Sequence, residues 1–198
     1  IKKNLVSKLI SKNQADAVIL TKPESICWLL NIRGKDIAHT PIVQSLAIVK
    51  NNSEVKLFIR ENNLPKKVTS FLGDGVEIFH QSRFSEYVIQ IKNQSIQIDP
   101  SSCPMNVHDL LKVGSNNIIH NADPCMNPKA LKNQTEIKGA KTAHIIDASA
   151  FISFLYWFET NFESTKLDEI LVTKRLEEFR TETGELEEIA FDTICGSG

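Results

Sequence analysis

Long apolar runs are missing from this sequence, and with them the roughly 20-residue stretch that a membrane-spanning helix requires. The opening IKKNLVSKLISKNQ has no secretory h-region; because the chain begins on Ile rather than Met, it says nothing of any segment upstream. An excess of either charge is missing too. The 23 basic and 24 acidic residues are mixed along the chain and leave a net charge of −1, so nucleic acid finds no electrostatic footprint here. Cysteine is sparse: Cys27, Cys103, Cys125 and Cys195 contain no C-x-x-C pair, which fits reduced thiols in a cytoplasmic protein rather than a disulfide scaffold or a zinc site.

The usual signs of catalysis are equally thin. His39, His80, His108, His120 and His144 include no H-x-x-x-H or H-E-x-x-H, and no metal site is expected within the chain. His144 and Asp147 stand three apart on a helical stretch and read as a structural pair. The acidic runs ELEE and LEEFR read as solvated helix faces, and the adjacent Glu187 and Glu188 point apart. Gly196-Ser197-Gly198 comes after a strand candidate but lacks the full G-x-G-x-x-G and a subsequent helix. Cys195 has no identifiable base and reads as a buried thiol.

The composition itself is ordinary for a globular protein, 41% hydrophobic and 24% charged over 198 residues, room for one large domain or for about 130 residues plus an appendage. LVSKLISKN has apolar residues at helical spacing, and DAVILT reads as a short buried strand. SLAIVK and VKLFIR are strands joined by the turn-like NNSE; VEIFH, SIQIDP and a segment near NNIIH are three more. Between them lie a helix in SRFSEYVIQIKN, with Ser82 or Ser85 as its cap, and one from Pro104 to Gly114. The order specifies an α/β domain with a mixed sheet.

Near residue 122 the pattern changes. NADPCMNPKALKNQ, with two prolines, reads as a linker without a regular element. Asn133 and Glu136 have the spacing of a capping box for a helix of about 25 residues. Its predicted stripe is Ile137, Ala140, His144, Ile145, Ala148, Phe151, Ile152, Leu155 and Phe158, a face that needs a cover. A second helix starts at Thr165 to Asp168, places Leu167, Ile170, Leu171, Leu176 and Phe179 near one face, and stops at Gly184. IAFD at 189–192 reads as a strand opening into the final loop, so the chain is expected to be part of a longer protein.

SICWLLNIRGKDIAHTPIVQSLAIV resembles the middle domain of the cytosolic aminopeptidase P family, through Trp28, Leu29, Asn31, Arg33, Gly34, Asp36 and Pro41. NPKALKNQTEIKGAKTAHIIDASAFISFLYWFE is similar to the entry of that family's catalytic domain. LEEFR and FDTICGSG are similar to later segments of the same domain, with Cys195 where Ser is usual. Creatinase and prolidase share the architecture, but the Trp28–Pro41 signature and FDTICGSG favour aminopeptidase P.

The resemblance implies a creatinase N-terminal-like mixed sheet flanked by helices over 1–126, then the first helices and strand of a pita-bread peptidase domain over 127–198. It implies a dinuclear manganese exopeptidase that removes an N-terminal residue preceding proline, with every metal ligand downstream of Gly198 in the family pattern. No catalytic or metal-binding residue is therefore transferred to a position in this chain, which is expected to be inactive alone. Trp28 and Leu29 are expected in the core, Gly34 at a special backbone conformation, and Arg33 with Asp36 as an ion pair. Arg33, Gly196, Ser197 and Gly198 are the candidates for lining the cleft. Peptides with proline second are the implied partners, with a homodimer as the implied assembly. The alternative is a non-catalytic binding or dimerisation module derived from the same family.

Overall fold

Residues 17–20 alternate between two hydrophobic layers: Ala17 and Ile19 point into one, Val18 and Leu20 into the other, and all four are buried. A strand that is apolar on both faces belongs in the interior of a sheet. The computed structural model, which describes residues 1–60, 64–163 and 166–196, places it there. The chain divides into two compact units, Ile1–Leu131 and Lys132–Gly198.

The first unit is built on six strands, β1 (Ala17–Leu20), β2 (Leu46–Lys50), β3 (Val55–Ile59), β4 (Val76–His80), β5 (Ser95–Ile98) and β6 (Asn117–His120), in the spatial order β4-β3-β2-β1-β5-β6. β2 is antiparallel to both its neighbours, and the remaining pairs are parallel. On one face α1 (Lys2–Lys12) and α2 (Pro23–Leu30) bury Val6, Ile10 and the run from Ile26 to Leu30, and α3 (Lys66–Leu72) adds Leu72. On the other, α4 (Phe84–Gln90) and α5 (Met105–Val113) bury Phe84, Val88, Val107 and Leu111. The expected mixed sheet flanked by helices is the observed one.

Local chemistry corrects several boundaries. Neither Ser82 nor Ser85 caps α4: a 3-10 turn, Gln81–Arg83, precedes it, and the His80 ring accepts the Ser82 N–H. The stretch expected to be a featureless linker contains α6 (Met126–Ala130). Pro128 is its third residue, where the backbone N–H has no intrahelical acceptor, so proline costs the helix nothing there. Leu5, one of the expected apolar positions of α1, is largely exposed.

Two polar side chains hold the ends of the β1–β5 pair. Gln97 is fully buried; its amide donates to the Ala122 carbonyl at 2.9 Å and accepts from Asn13 at 2.9 Å, tying the end of α1 to the stretch after β6. Asp99, just past β5, accepts the Ser101 N–H (2.9 Å) and hydroxyl (2.7 Å), the Asp123 N–H (3.2 Å) and the Lys22 ammonium (3.3 Å). Burial alone would raise its pKa, but these four donors together outweigh burial and hold the carboxyl below its ordinary value.

The second unit has α7 (Gln134–Asn161) and α8 (Glu169–Glu182). The capping box on α7 is formed as expected: Asn133 accepts the Glu136 N–H at 2.9 Å, and the Glu136 carboxylate accepts the Asn133 N–H at 2.9 Å. Asp168 caps α8 by accepting the Leu171 N–H at 2.7 Å, so that helix begins later than expected; Thr165 lies outside the described residues. Gly184, at φ +72°, stands where the stop was expected. The face of α7 that packs is not the predicted stripe. Ala150 and Phe154 are its buried residues, whereas Ile145, Ile152 and Leu155 are exposed. On α8 only Leu176 is buried, and Ile170 is exposed.

Because the Asp99 pKa is depressed on folding, its contribution is complete above the unfolded value of about 3.9 and is lost as pH falls through the folded one. Asp99→Asn is expected to lower stability by about 2–3 kcal/mol at pH 7, since an amide accepts at one atom and turns an N–H group toward the other donors. The gap between the two proteins, read from urea midpoints, should begin to narrow below about pH 4 and close as pH falls through the depressed folded value.

Candidate functional site

The stretch from Trp28 to Pro41 starts on α2. Pro23 sits at the first turn of this helix, where its missing N–H is harmless, and Asn31 ends it in the left-handed region at φ 55°. Trp28 and Leu29 are buried, as expected of core positions. Lys2 lies over the Trp28 ring at 4.7 Å and donates to the Trp28 carbonyl at 2.9 Å.

Past Asn31 the chain doubles back so tightly that Gly34 faces Ile42 and Val43. A Cβ at Gly34 would stand 2.3 Å from Val43 Cγ2 and 2.9 Å from the Ile42 carbonyl oxygen. Its φ is not left-handed, so the requirement is space and not the special torsion expected. Cys27 braces the same crossing by accepting the Val43 N–H at 3.3 Å. The expected Arg33–Asp36 ion pair is not formed. Asp36 accepts the Gln44 N–H at 2.8 Å, and Arg33 donates to the Ile32 carbonyl at 2.8 Å. Arg33 is exposed and has no carboxylate partner among the described residues, so its planar donor fork can meet an anionic or carbonyl group from outside.

In the second unit, α7 and α8 meet through an aromatic cluster and an ion pair. Phe154 lies within 6.5 Å, centroid to centroid, of Phe151, Trp157, Phe158 and Phe179. Arg175 lies over both Trp157 (5.2 Å) and Phe179 (4.9 Å). Arg180 donates to both oxygens of Asp147, at 2.7 and 3.4 Å. This corrects the expected His144–Asp147 pair: His144 instead meets the Ala140 carbonyl at 2.8 Å. Beside the Asp147–Arg180 pair opens a groove of about 610 Å³, with Gly139, Ala143 and Ile146 on one side and Leu186 and Glu187 on the other.

At the C-terminal end, the strand expected at 189–192 is irregular chain, because no strand among the described residues lies alongside to take its hydrogen bonds. Thr193 is hydrogen-bonded to Glu177 at 3.3 Å. Cys195 is exposed, against the buried thiol expected, and Gly196 is exposed as well. Ser197 and Gly198 lie outside the described residues. Of the four candidate cleft residues, Arg33 thus belongs to the first unit and Gly196 to the second.

The residues present do not fit a dinuclear metal centre. Such a centre needs several clustered carboxylates and imidazoles, and no group of three or more His, Cys, Asp or Glu among the described residues could hold an ion. His108 and His120 approach to 5.8 Å between ring centroids, two rings without a third ligand. No helix among the described residues is long and apolar enough to cross a membrane. Sequence reasoning missed α2 and the Cys27–Val43 contact. The signal for the helix was its bracketing by Pro23 and Asn31; nothing local pointed to the contact.

Comparison with known proteins adds a history to this geometry. A family model described as the Creatinase/Prolidase N-terminal domain matches residues 2–136. Xaa-Pro aminopeptidase 1 of Dictyostelium discoideum is 35% identical over 191 residues, covering 93% of this chain and 30% of its own length. A probable Xaa-Pro aminopeptidase P of Neurospora crassa is 29% identical over 203 residues, covering 96% and 30%. The chain thus spans about 30% of the length of these relatives. Among solved structures, the X-prolyl aminopeptidase of Caenorhabditis elegans, described as a cytosolic enzyme with a di-nuclear active site, superposes with a TM-score of 0.88 at 23% identity, over 98% of this chain and 32% of that one. The Xaa-Pro dipeptidase of Bacillus anthracis superposes at 0.66 and 16% identity, over 91% and 48%. At such identities the superpositions speak for the fold.

Gly34→Ala is expected to cost about 1–3 kcal/mol, because the added methyl meets backbone on one side and the core residue Val43 on the other; a shift of the urea midpoint measures it. Thiol labelling at pH 7.5 should be fast at Cys195 and slow at Cys103. Cys27 and Cys125 should label only on unfolding, since burial raises both their pKa values and blocks the reagent.

Proposed function

Because the chain belongs to the creatinase/prolidase N-terminal domain family, we propose that it serves as the part of an Xaa-Pro aminopeptidase that holds no metal. The enzyme so formed hydrolyses the bond between an N-terminal residue and a proline in second position. The reading rests on one observation, the 35% identity to Xaa-Pro aminopeptidase 1 of Dictyostelium discoideum over 93% of this chain.

In this reading residues 1–126 are the middle domain, and 127–198 open a peptidase domain of the pita-bread fold. The enzyme is cytosolic and homodimeric, and uses a dinuclear manganese centre whose ligands all come from outside this chain. Arg33 stands at the entrance to its cleft. The chain's own contribution is positioning: the close crossing at Gly34 and the Asp36–Gln44 hydrogen bond fix the turn from which Arg33 projects. A guanidinium held on such a turn can orient a peptide by its carbonyl or carboxylate oxygens. A second reading, a non-catalytic binding or dimerisation module of the same descent, is favoured by the exposed apolar side of α7.

Two assays test the proposal. The 198-residue chain alone should release no amino acid from Xaa-Pro peptides with any added divalent metal; turnover that survives a tag-matched blank would contradict it. Exchanged for the matching segment of the Dictyostelium discoideum enzyme, the chain should sustain Xaa-Pro cleavage, and Arg33→Ala in that chimera should lower kcat/KM about tenfold without a loss of stability. A folded but inactive chimera sinks the aminopeptidase reading and leaves the binding module.

A further inference from the structure

Strand β6 sends its residues to two layers in turn. Ile119 packs into the core under α1 and α2, and Ile118 into the one under α4 and α5. His120, two positions after Ile118, faces the same way as Ile118, and the β5 residue it pairs with, Ile98, is buried in that layer. An apolar layer thus ends on an imidazole. Helix α5 brings a second one to it: Val107 and Leu111 are the buried residues of this helix, and His108 stands about 60° round the helix from Leu111. The His108 side chain is only 18% exposed, and its ring comes within 5.8 Å of the His120 ring, centroid to centroid, at an interplanar angle of 63°. No helical ligand spacing could show this pair in the sequence, because one member is on a helix and the other on a strand.

The chemistry left open at the pair is that of a metal ligand. The His120 ring makes no hydrogen bond among the described residues, and Nδ1 of His108 lies 3.4 Å from Asp109 Oδ1. A carboxylate beside Nδ1 favours the tautomer with its proton there and leaves the Nε2 lone pair free, the arrangement that orients histidines on bound zinc. Two imidazoles on one ion, with bonds of about 2.1 Å at a tetrahedral angle, hold their ring centres about 5 Å apart. The observed 5.8 Å differs from that by a small side-chain rotation and needs no movement of the backbone.

We propose that His108 and His120 together bind one divalent late transition ion of the zinc, nickel and copper class, with water in its remaining positions. The ion ties the outermost strand of the sheet to helix α5. Imidazole nitrogen selects this class of ion; magnesium and calcium, which take oxygen ligands, are not bound. Two protein ligands are fewer than structural or catalytic zinc sites use, so the ion exchanges with solution and the unit folds without it. Chelation by two rings held in place brings the dissociation constant to the order of 10–100 µM. The inference does not rest on the peptidase reading, since its readout is an ion bound by this chain and not turnover.

Titration calorimetry of the whole 198-residue chain should show one ion bound per chain with NiCl2 or ZnCl2 and none with MgCl2. His108→Gln and His120→Gln should each weaken binding at least about tenfold, and the double variant should be no weaker than either single one, the mark of one shared ion. His144→Gln, in the second unit, should bind as the original chain does. His120 is exposed at the end of an edge strand, so His120→Gln should keep its urea midpoint in the absence of metal. About 1 mM NiCl2 should raise the thermal midpoint of the original chain by about 3 °C and leave that of His120→Gln unchanged. No binding up to about 1 mM, binding that survives either substitution, or single losses that add as for two separate sites overturns the proposal.

Discussion

Strand β1 has no solvent face and no free edge, and the first unit depends on that double confinement. It is antiparallel to β2 along one edge and parallel to β5 along the other, so the sheet changes character across it. Its side chains feed both cores, two to each. Thr21, Lys22 and α2 come directly after it, so the direction in which the Trp28–Pro41 segment sets out is decided by β1. Asp99, leaving the neighbouring strand, then takes hold of Lys22 and secures the exit.

Much of this unit was legible because its strands are short apolar runs broken by turn residues, and its longer helices show spacing at three and four. The part that could not be read was long-range. DAVILT reads as buried, but no local pattern says that its partners are Leu46–Lys50 and Ser95–Ile98 rather than any other pair. The site was legible as residue identities and not as geometry. Arg33, Gly34 and Asp36 stand out through a resemblance; that Gly34 is needed for contact, and that Asp36 serves the Gln44 N–H instead of Arg33, depends on where the chain returns at Ile42 to Gln44. Adjacency in sequence suggested the wrong partner in each case where a distant one was better placed, as with Asp147 and Arg180.

The second unit shows the limit of periodicity itself. Between Phe151 and Phe158 α7 is apolar almost all the way round, so a stripe can be drawn on more than one side. Packing selects the side where small Ala150 lets α8 approach, Phe154 fills the space between them, and Asp147 can reach Arg180. Sequence spacing counted the residues correctly and chose the other side.

The parallel pairing of β1 with β5 also sets an order of events. Ala17 lies against Ile96, 79 positions along the chain, whereas β2 and β3 are joined by a tight turn. Closing the longer loop costs entropy before any contact repays it, and contacts so distant in sequence slow folding. The β2–β3 hairpin can form early and offer β1 an edge, while β5 and β6 must wait until most of the first unit's chain has emerged. Until then the far edge of β1 is an uncovered, wholly apolar strand, open to pairing with the wrong chain.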